Sequence, residues 1–212
     1  MGFPAGPECP PGETDRIKIW FRCAPHDGWP PAGDRPPPDG RPPLSDDQPP
    51  RDGSPPQGGS LPRGDGWPPH GDGWPPCDTE GLWATRLGPD TARVDNVPFL
   101  RDGVAEGEIV RFRTDEDGVR WASGRVAESG NCTVRVLPLP GGPLGPDVRA
   151  VHQRLAGFGL RGEVFGPDVP LVALTVPGGA DLRAVKALLA RGRDAGWWHY
   201  EVACATRAWR SA

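Results

Sequence analysis

Fifty-five residues, Ala24–Asp78, contain no Val, Ile or Phe, and their aliphatic anchors beyond alanine are Leu44 and Leu61. Seventeen of these residues are Pro and ten are Gly. A segment so poor in apolar surface cannot offset the entropy of ordering itself, so it is expected to be a disordered insert. Its Pro-Pro pairs favour polyproline II geometry. Asp-Gly-Trp-Pro-Pro occurs in it three times, at Asp27–Pro31, Asp65–Pro69 and Asp72–Pro76. These copies read as a repeat expansion inside a domain, because ordinary folding patterns stop before the first and resume after the last. One of Trp29, Trp67 and Trp74 is expected to pack on the domain as the original copy did. No clean P-x-x-P core with an ordered basic flank stands out, so a tolerated surface loop explains the segment better than a ligand for a proline-recognising domain.

Outside the insert the chain is long enough for one sizeable domain or two small ones. Its 28 acidic and 24 basic residues give a formal charge of −4, which does not suggest general binding to a phosphate backbone. No apolar run reaches the length of a bilayer span, and residues 1–14, Pro/Gly-rich and expected to be a disordered N-terminus, lack the basic and apolar regions of a signal peptide. Cys9, Cys23, Cys77, Cys132 and Cys204 are widely spaced and form no C-x-x-C. They read as reduced thiols in a cytoplasmic protein, with Cys132 and Cys204 as small core residues.

Arg16–Arg22 alternates polar and apolar residues and reads as a half-buried strand. After the insert, Gly81–Leu87 and Thr91–Val97 read as strands around a Gly88-Pro89-Asp90 turn. Ile109–Thr114 and Val119–Val126 flank an Asp-Gly hairpin signal at Asp117-Gly118. Together these predict a small antiparallel β subdomain, a bent sheet or barrel, over residues 15–23 and 79–130. The rhythm then changes to strand Cys132–Leu137, helix Asp147–Phe158, strands Leu160–Phe165 and Leu171–Val176, helix Asp181–Arg191 and strand Trp197–Cys204. That order is the ferredoxin-like βαββαβ unit, over residues 131–204. Residues 205–212 read as a tail. Leu171–Val176 reads as a continuous apolar run, a strand buried on both faces, so both of its faces need cover. The β subdomain is the obvious cover for the face without helices, and the fold class is α+β with a buried seam.

A series of short motifs resembles a bacterial domain of unknown function, DUF4265. The motifs are Glu80-x-Leu82-Trp83-Ala84, Val94–Phe99, Gly107–Val110, Glu128–Val136 and Gly196–Glu201. The resemblance covers roughly Ile17–Cys23 and Glu80–Cys204. It implies domain limits and no established activity. In that family Asp often stands where Glu108 is found here, and His often stands where Asn131 is found.

The chemistry legible in the residues is limited. Ser129, His199 and Glu201 or Asp95 supply the residue types of a triad, but Ser129 has no G-x-S-x-G elbow. His26, His70, His152 and His199 are scattered without metal-ligand spacing, and no phosphate loop or cofactor signature is present. Arg111, Arg113, Arg120 and Arg125 alternate along one hairpin with Trp121, a pattern that fits a solvated strand face. The two central strands of the ferredoxin-like sheet carry no aromatic residue on which RNA bases would stack. What remains is a polar line on the last strand, where Trp197, His199 and Glu201 share a face. Arg135, on the neighbouring strand, is expected to pair with Glu201 at the seam or at the mouth of a pocket, near Trp83, Asp95, Asn96 and His199. Two readings follow: a fork for a small polar or anionic ligand, or a structural ion pair joining the two parts. The function expected is a non-catalytic binding or regulatory module. A protein-interaction role (an immunity or accessory protein) is the alternative, and a hydrolase stands behind both.

Overall fold

The computed structural model describes residues 15–23, 78–166 and 169–212. The expectations for residues 1–14 and for the insert, including the packing of one of its tryptophans, lie outside them. Five strands close into a barrel: β1 (Arg16–Arg22), β2 (Thr79–Arg86), β3 (Thr91–Val94), β4 (Ile109–Thr114) and β5 (Arg120–Ala127). Neighbours are antiparallel except β1 and β5, which meet in parallel at Trp20 and Trp121. The alternation in β1 points Ile17, Ile19 and Phe21 inward, onto Leu82, Ala84, Val94, Val110 and Phe112. Irregular register between β4 and β5 bends that pair toward closure. The Cys23 amide donates to the Asp78 carbonyl at 2.6 Å, so the chain leaves and re-enters the barrel at one point.

β3 stops at Val94, three residues short of the expected end. Asp95 and Asn96 stop it with their side chains. Asn96 Oδ1 accepts from the Trp83 amide at 2.8 Å, and Asp95 Oδ2 accepts from Thr85 Oγ1 at 2.7 Å. Short polar side chains of this kind replace ladder bonds with turn bonds.

The second layer is a four-stranded sheet of β6 (Cys132–Pro138), β7 (Arg161–Val164), β8 (Val172–Val176) and β9 (Trp198–Cys204). Its order is β7-β8-β6-β9, with every neighbour antiparallel. The helices are α1 (Val148–Ala156), α2 (Leu182–Asp194) and α3 (Arg207–Ser211), with side-chain caps from Asp147, Asp181 and Thr206. Cys132, Val134 and Val136 of β6, with Val172, Leu174 and Val176 of β8, face Val151, Leu155, Val185 and Leu189. α3 corrects the reading of residues 205–212 as a tail, because Trp209 is buried in this same core.

α2 runs three residues past the expected exit at Arg191 and contains Gly192. A Cβ at Gly192 would lie 2.2 Å from Trp198 Cε2, so the indole occupies the space a side chain would need. Trp198 Nε1 donates to the Leu189 carbonyl at 3.1 Å and fixes the ring there. Gly192→Ala is expected to cost about 1–3 kcal/mol by overpacking, despite alanine's better helix propensity. Urea denaturation measures it, and an unchanged midpoint would show that the ring is free to shift. No helix among the described residues is long and apolar enough to cross a membrane.

The other face of the sheet presents Thr133, Arg135 and Leu137 from β6 and Ala173 and Thr175 from β8, all buried. The sequence expectation of a face apolar on both sides therefore needs amending, because polar side chains stand among the apolar ones. The β3–β4 connection, residues 95–108, meets them. Thr133 Oγ1 donates to the Val104 carbonyl at 2.9 Å, and Thr175 Oγ1 donates to Glu106 Oε2 at 2.6 Å.

Candidate functional site

The seam between barrel and sheet is built from charges. Glu80 of β2 is 9% exposed and turns its carboxylate onto three successive amides of the connection. It accepts from Phe99 N at 2.7 Å, Leu100 N at 3.0 Å and Arg101 N at 2.8 Å. Burial pushes this carboxyl above its ordinary 4.5, while the three amides and the nearby Arg135 charge pull it back down. Arg135 of β6 is fully buried. Its Nη1 lies 2.8 Å from Asp102 Oδ1 and 2.5 Å from Glu201 Oε1. Its Nε and Nη2 have no hydrogen-bond partner among the described residues. The Gly103 amide donates to the Ala203 carbonyl of β9 at 2.8 Å. Farther along, Asn131 Nδ2 donates to the Glu106 carbonyl at 2.8 Å, and Arg161 lies 3.3 Å from the Glu106 carboxylate. Gly107 adopts φ +85°, where a side chain would be strained and would also meet Ser129.

Beside this seam lies a cleft of about 300 Å³ between β5, β9 and α3. Its lining includes Glu108, Arg125, Asn131, Thr206, Arg207 and Arg210. Glu108 is 2% exposed, and its Oε2 lies 3.1 Å from Arg125 Nε. Arg125 also reaches Glu128 Oε1 at 3.1 Å and donates to the Gly103 carbonyl. Cys204 sits at the base, 3.9 Å from Glu108 Oε1. Burial first, and then the Glu108 charge, push its thiol up to about 11, so it is protonated at neutral pH and is no nucleophile. A second cleft of about 290 Å³ shares Gly103, Glu108 and Arg125 and opens along Arg22, Arg101 and Ser123. Among the described residues no cluster of His, Cys, Asp and Glu is placed to hold a metal ion.

Burial raises the Glu108 carboxyl above 4.5. A carboxyl whose folded-state value exceeds its unfolded one binds its proton more tightly when folded. Its contribution to stability therefore falls as pH rises from 4.5 through the folded-state value. Glu108→Gln is expected to flatten that part of the profile, read from urea midpoints between about pH 4.5 and neutrality. An unchanged slope would mean that Glu108 titrates as an ordinary carboxyl.

The chain's residues 80–200 match the family model of a domain of unknown function, DUF4265. This chain belongs to the DUF4265 family. The fold also resembles the crystal structure of a hypothetical protein from Neisseria gonorrhoeae, at 17% identity and a TM-score of 0.50. That likeness covers 59% of this chain and 83% of the other, and it speaks for the fold alone. No curated protein matches. The motifs that resemble DUF4265 are far apart in sequence, yet they meet at the seam. Glu80 caps the amides after Pro98, Gly107 packs on Ser129, and Arg135 faces Glu201.

The six residues singled out from sequence divide into two places. Arg135 and Glu201 are direct partners, opposite each other in the β6–β9 ladder. His199 lies two residues along the same face, opposite Leu137, and burial lowers its pKa from 6.5. Trp83, Asp95 and Asn96 instead hold the β2–β3 corner through their mutual bonds. None of the six lines either cleft. Of the two places expected for Arg135, the seam and the mouth of a pocket, it occupies the seam, because two carboxylates and the β3–β4 connection bury it completely. Trp197 precedes β9 and stacks under Arg154 of α1, 3.9 Å from the ring centroid, so it does not share the face of His199 and Glu201.

The hydrolase constellation does not converge either. Ser129 precedes β6 and accepts from the Asn131 amide, whereas His199 stands opposite Leu137 at the far end of the strand. The five residue steps from Cys132 to Leu137 alone span about 17 Å. Sequence reading missed Glu80 and Asp102 as seam residues, and Arg125, Arg207 and Arg210 as cleft residues. Arg125 had been visible within the alternating basic run, and the two C-terminal arginines lay in the presumed tail.

Proposed function

We propose that this DUF4265 protein is a non-catalytic binding module for a small anionic ligand, held in the cleft beside the seam. The cleft's charge carries this reading. Three arginines face it, and both of its carboxylates, Glu108 and Glu128, are already engaged by Arg125. Arg207 and Arg210 are left exposed at the rim, with no ion pair to the described residues. Asn131 and Thr206 add neutral polar groups that orient a polar ligand. Arg135 and Glu201 belong in this reading to the fastening of the walls and not to ligand contact, and the same holds for Trp83, Asp95 and Asn96 at their corner.

The reading includes a ferredoxin-like unit as the sheet layer, which the β7-β8-β6-β9 order supports. It also includes a cytoplasmic location, which the free, buried Cys132 and Cys204 support. Calorimetric titration of the full chain with phosphate, pyrophosphate and citrate tests it. At least one is expected to bind saturably, and Arg207→Gln with Arg210→Gln is expected to abolish that binding while leaving the melting temperature unchanged. Flat titrations for all three anions would contradict an anion site and turn attention to a protein partner.

A further inference from the structure

The outer face of the barrel carries a second feature, outside the anion cleft and bordering the second cleft only at Arg22. β1 points Arg16, Lys18, Trp20 and Arg22 outward, since its alternate residues fill the core. Lys18 stands directly opposite Trp83 of β2, and Trp20 stands opposite Trp121 of β5. Arg113 of β4 stands opposite Trp121 on the other side. Cations and indoles therefore alternate across four neighbouring strands. Arg16 lies 4.7 Å from the Trp83 ring centroid, Lys18 lies 5.1 Å from that of Trp20 and 5.4 Å from that of Trp83, and Arg22 lies 5.2 Å from that of Trp121. No carboxylate of the described residues forms an ion pair with Arg16, Lys18, Arg22 or Arg113. Trp83 is 43% exposed, an unusual position for so large an apolar ring. Gly81 keeps the strip low: a Cβ there would strike Lys18 and Trp20, so the glycine lets both side chains lie flat across β2.

The chain's acidity does not argue against a polyanion here. Residues 24–77 hold eight Asp and four Arg, a net of −4, which equals the formal −4 of the whole chain. The remainder is neutral overall, so the chain's formal acidity resides in residues 24–77 and not around this face.

We propose that the strip binds single-stranded nucleic acid, with bases stacking on the indoles and phosphates lying against Arg16, Lys18, Arg22 and Arg113. A single strand alternates the same two features, an aromatic face and a negative charge at every nucleotide. A duplex hides its base faces within the stack and offers the indoles nothing. An acidic peptide would match the cations and leave the exposed indole face unused.

Fluorescence anisotropy tests this with the full chain and fluorescein-labelled oligo(dT) and oligo(rU) of about 12 nucleotides, a length within the site sizes of sheet-surface binders. Saturable binding is expected, weakening as salt rises. Trp83→Ala is expected to weaken it roughly 5- to 100-fold, with Trp83→Phe recovering most of the loss. Lys18→Gln is expected to weaken binding and make it less dependent on salt, and circular dichroism checks that each variant is folded. The Arg207→Gln, Arg210→Gln variant is expected to bind like the wild type, which keeps this proposal separate from the anion cleft. The proposal is overturned if no saturable binding appears at low salt. It is equally overturned if Trp83→Ala binds as the wild type does, or if duplex DNA or a poly-glutamate peptide displaces the oligonucleotide as well as unlabelled single strand does.

Discussion

Arg135→Ala is expected to remove about 3–5 kcal/mol of folding stability, because it empties a fully buried site and takes the counter-charge from the part-buried Glu201 and from nearby Glu80. That is a large part of the roughly 5–15 kcal/mol that holds a domain together. Asp102 and Glu201 both reach Nη1, and Glu80 feels the same charge. Glu201 and the Glu80 carboxylate are largely shut off from water, so solvent cannot take over the lost role. Chemical denaturation of the full chain measures the loss. Arg135→Lys is expected to lose well under half as much. An ammonium can serve the same two carboxylates, and it removes the Nε and Nη2 groups that lie buried without hydrogen-bond partners. If alanine and lysine cost the same, the contribution lies in guanidinium packing and not in charge.

Glu80→Ala is expected to cost about 3 kcal/mol or more, since three amides lose their acceptor at once. The carboxylate sits inside a turn of the β3–β4 connection, and Phe99, Leu100 and Arg101 all donate to it. Glu80→Gln is expected to fall between the wild type and alanine, because its amide nitrogen would face donors where an oxygen now accepts. Hydrogen exchange at those three amides gives a local reading. Protection lost at residues 99–101 ahead of the barrel core is the expected pattern, and uniform loss across the barrel would show that Glu80 acts on the whole layer and not on the turn.

Periodicity found the strands and helices because burial on one face imposes it. β1 alternates, and α2 repeats its apolar residues at helical spacing, so both were legible. The four-strand, two-helix layer was legible for the same reason. The limits of β3 and α2 were not, because each is set by a tertiary partner: Asn96 reaching Trp83, and the Trp198 ring over Gly192. The pairing of Arg135 with Glu201 followed from ladder geometry, since both residues face one side of adjacent antiparallel strands. Its complete burial did not, because the covering residues come from a connection more than thirty positions away in the chain. The cleft was hidden for a similar reason. It needs α3, a helix of five residues too short to show a period, anchored by Trp209.

The separated DUF4265 motifs form a single charge network that fastens barrel to sheet. A double-mutant cycle between Glu80 of the barrel and Arg135 of the sheet tests it most directly, using Glu80→Gln and Arg135→Met in urea denaturation. The network predicts that the double variant loses less than the sum of the two single losses, by about 1 kcal/mol or more. Losses that add within about 0.5 kcal/mol would contradict it, and would make the two halves of the seam independent.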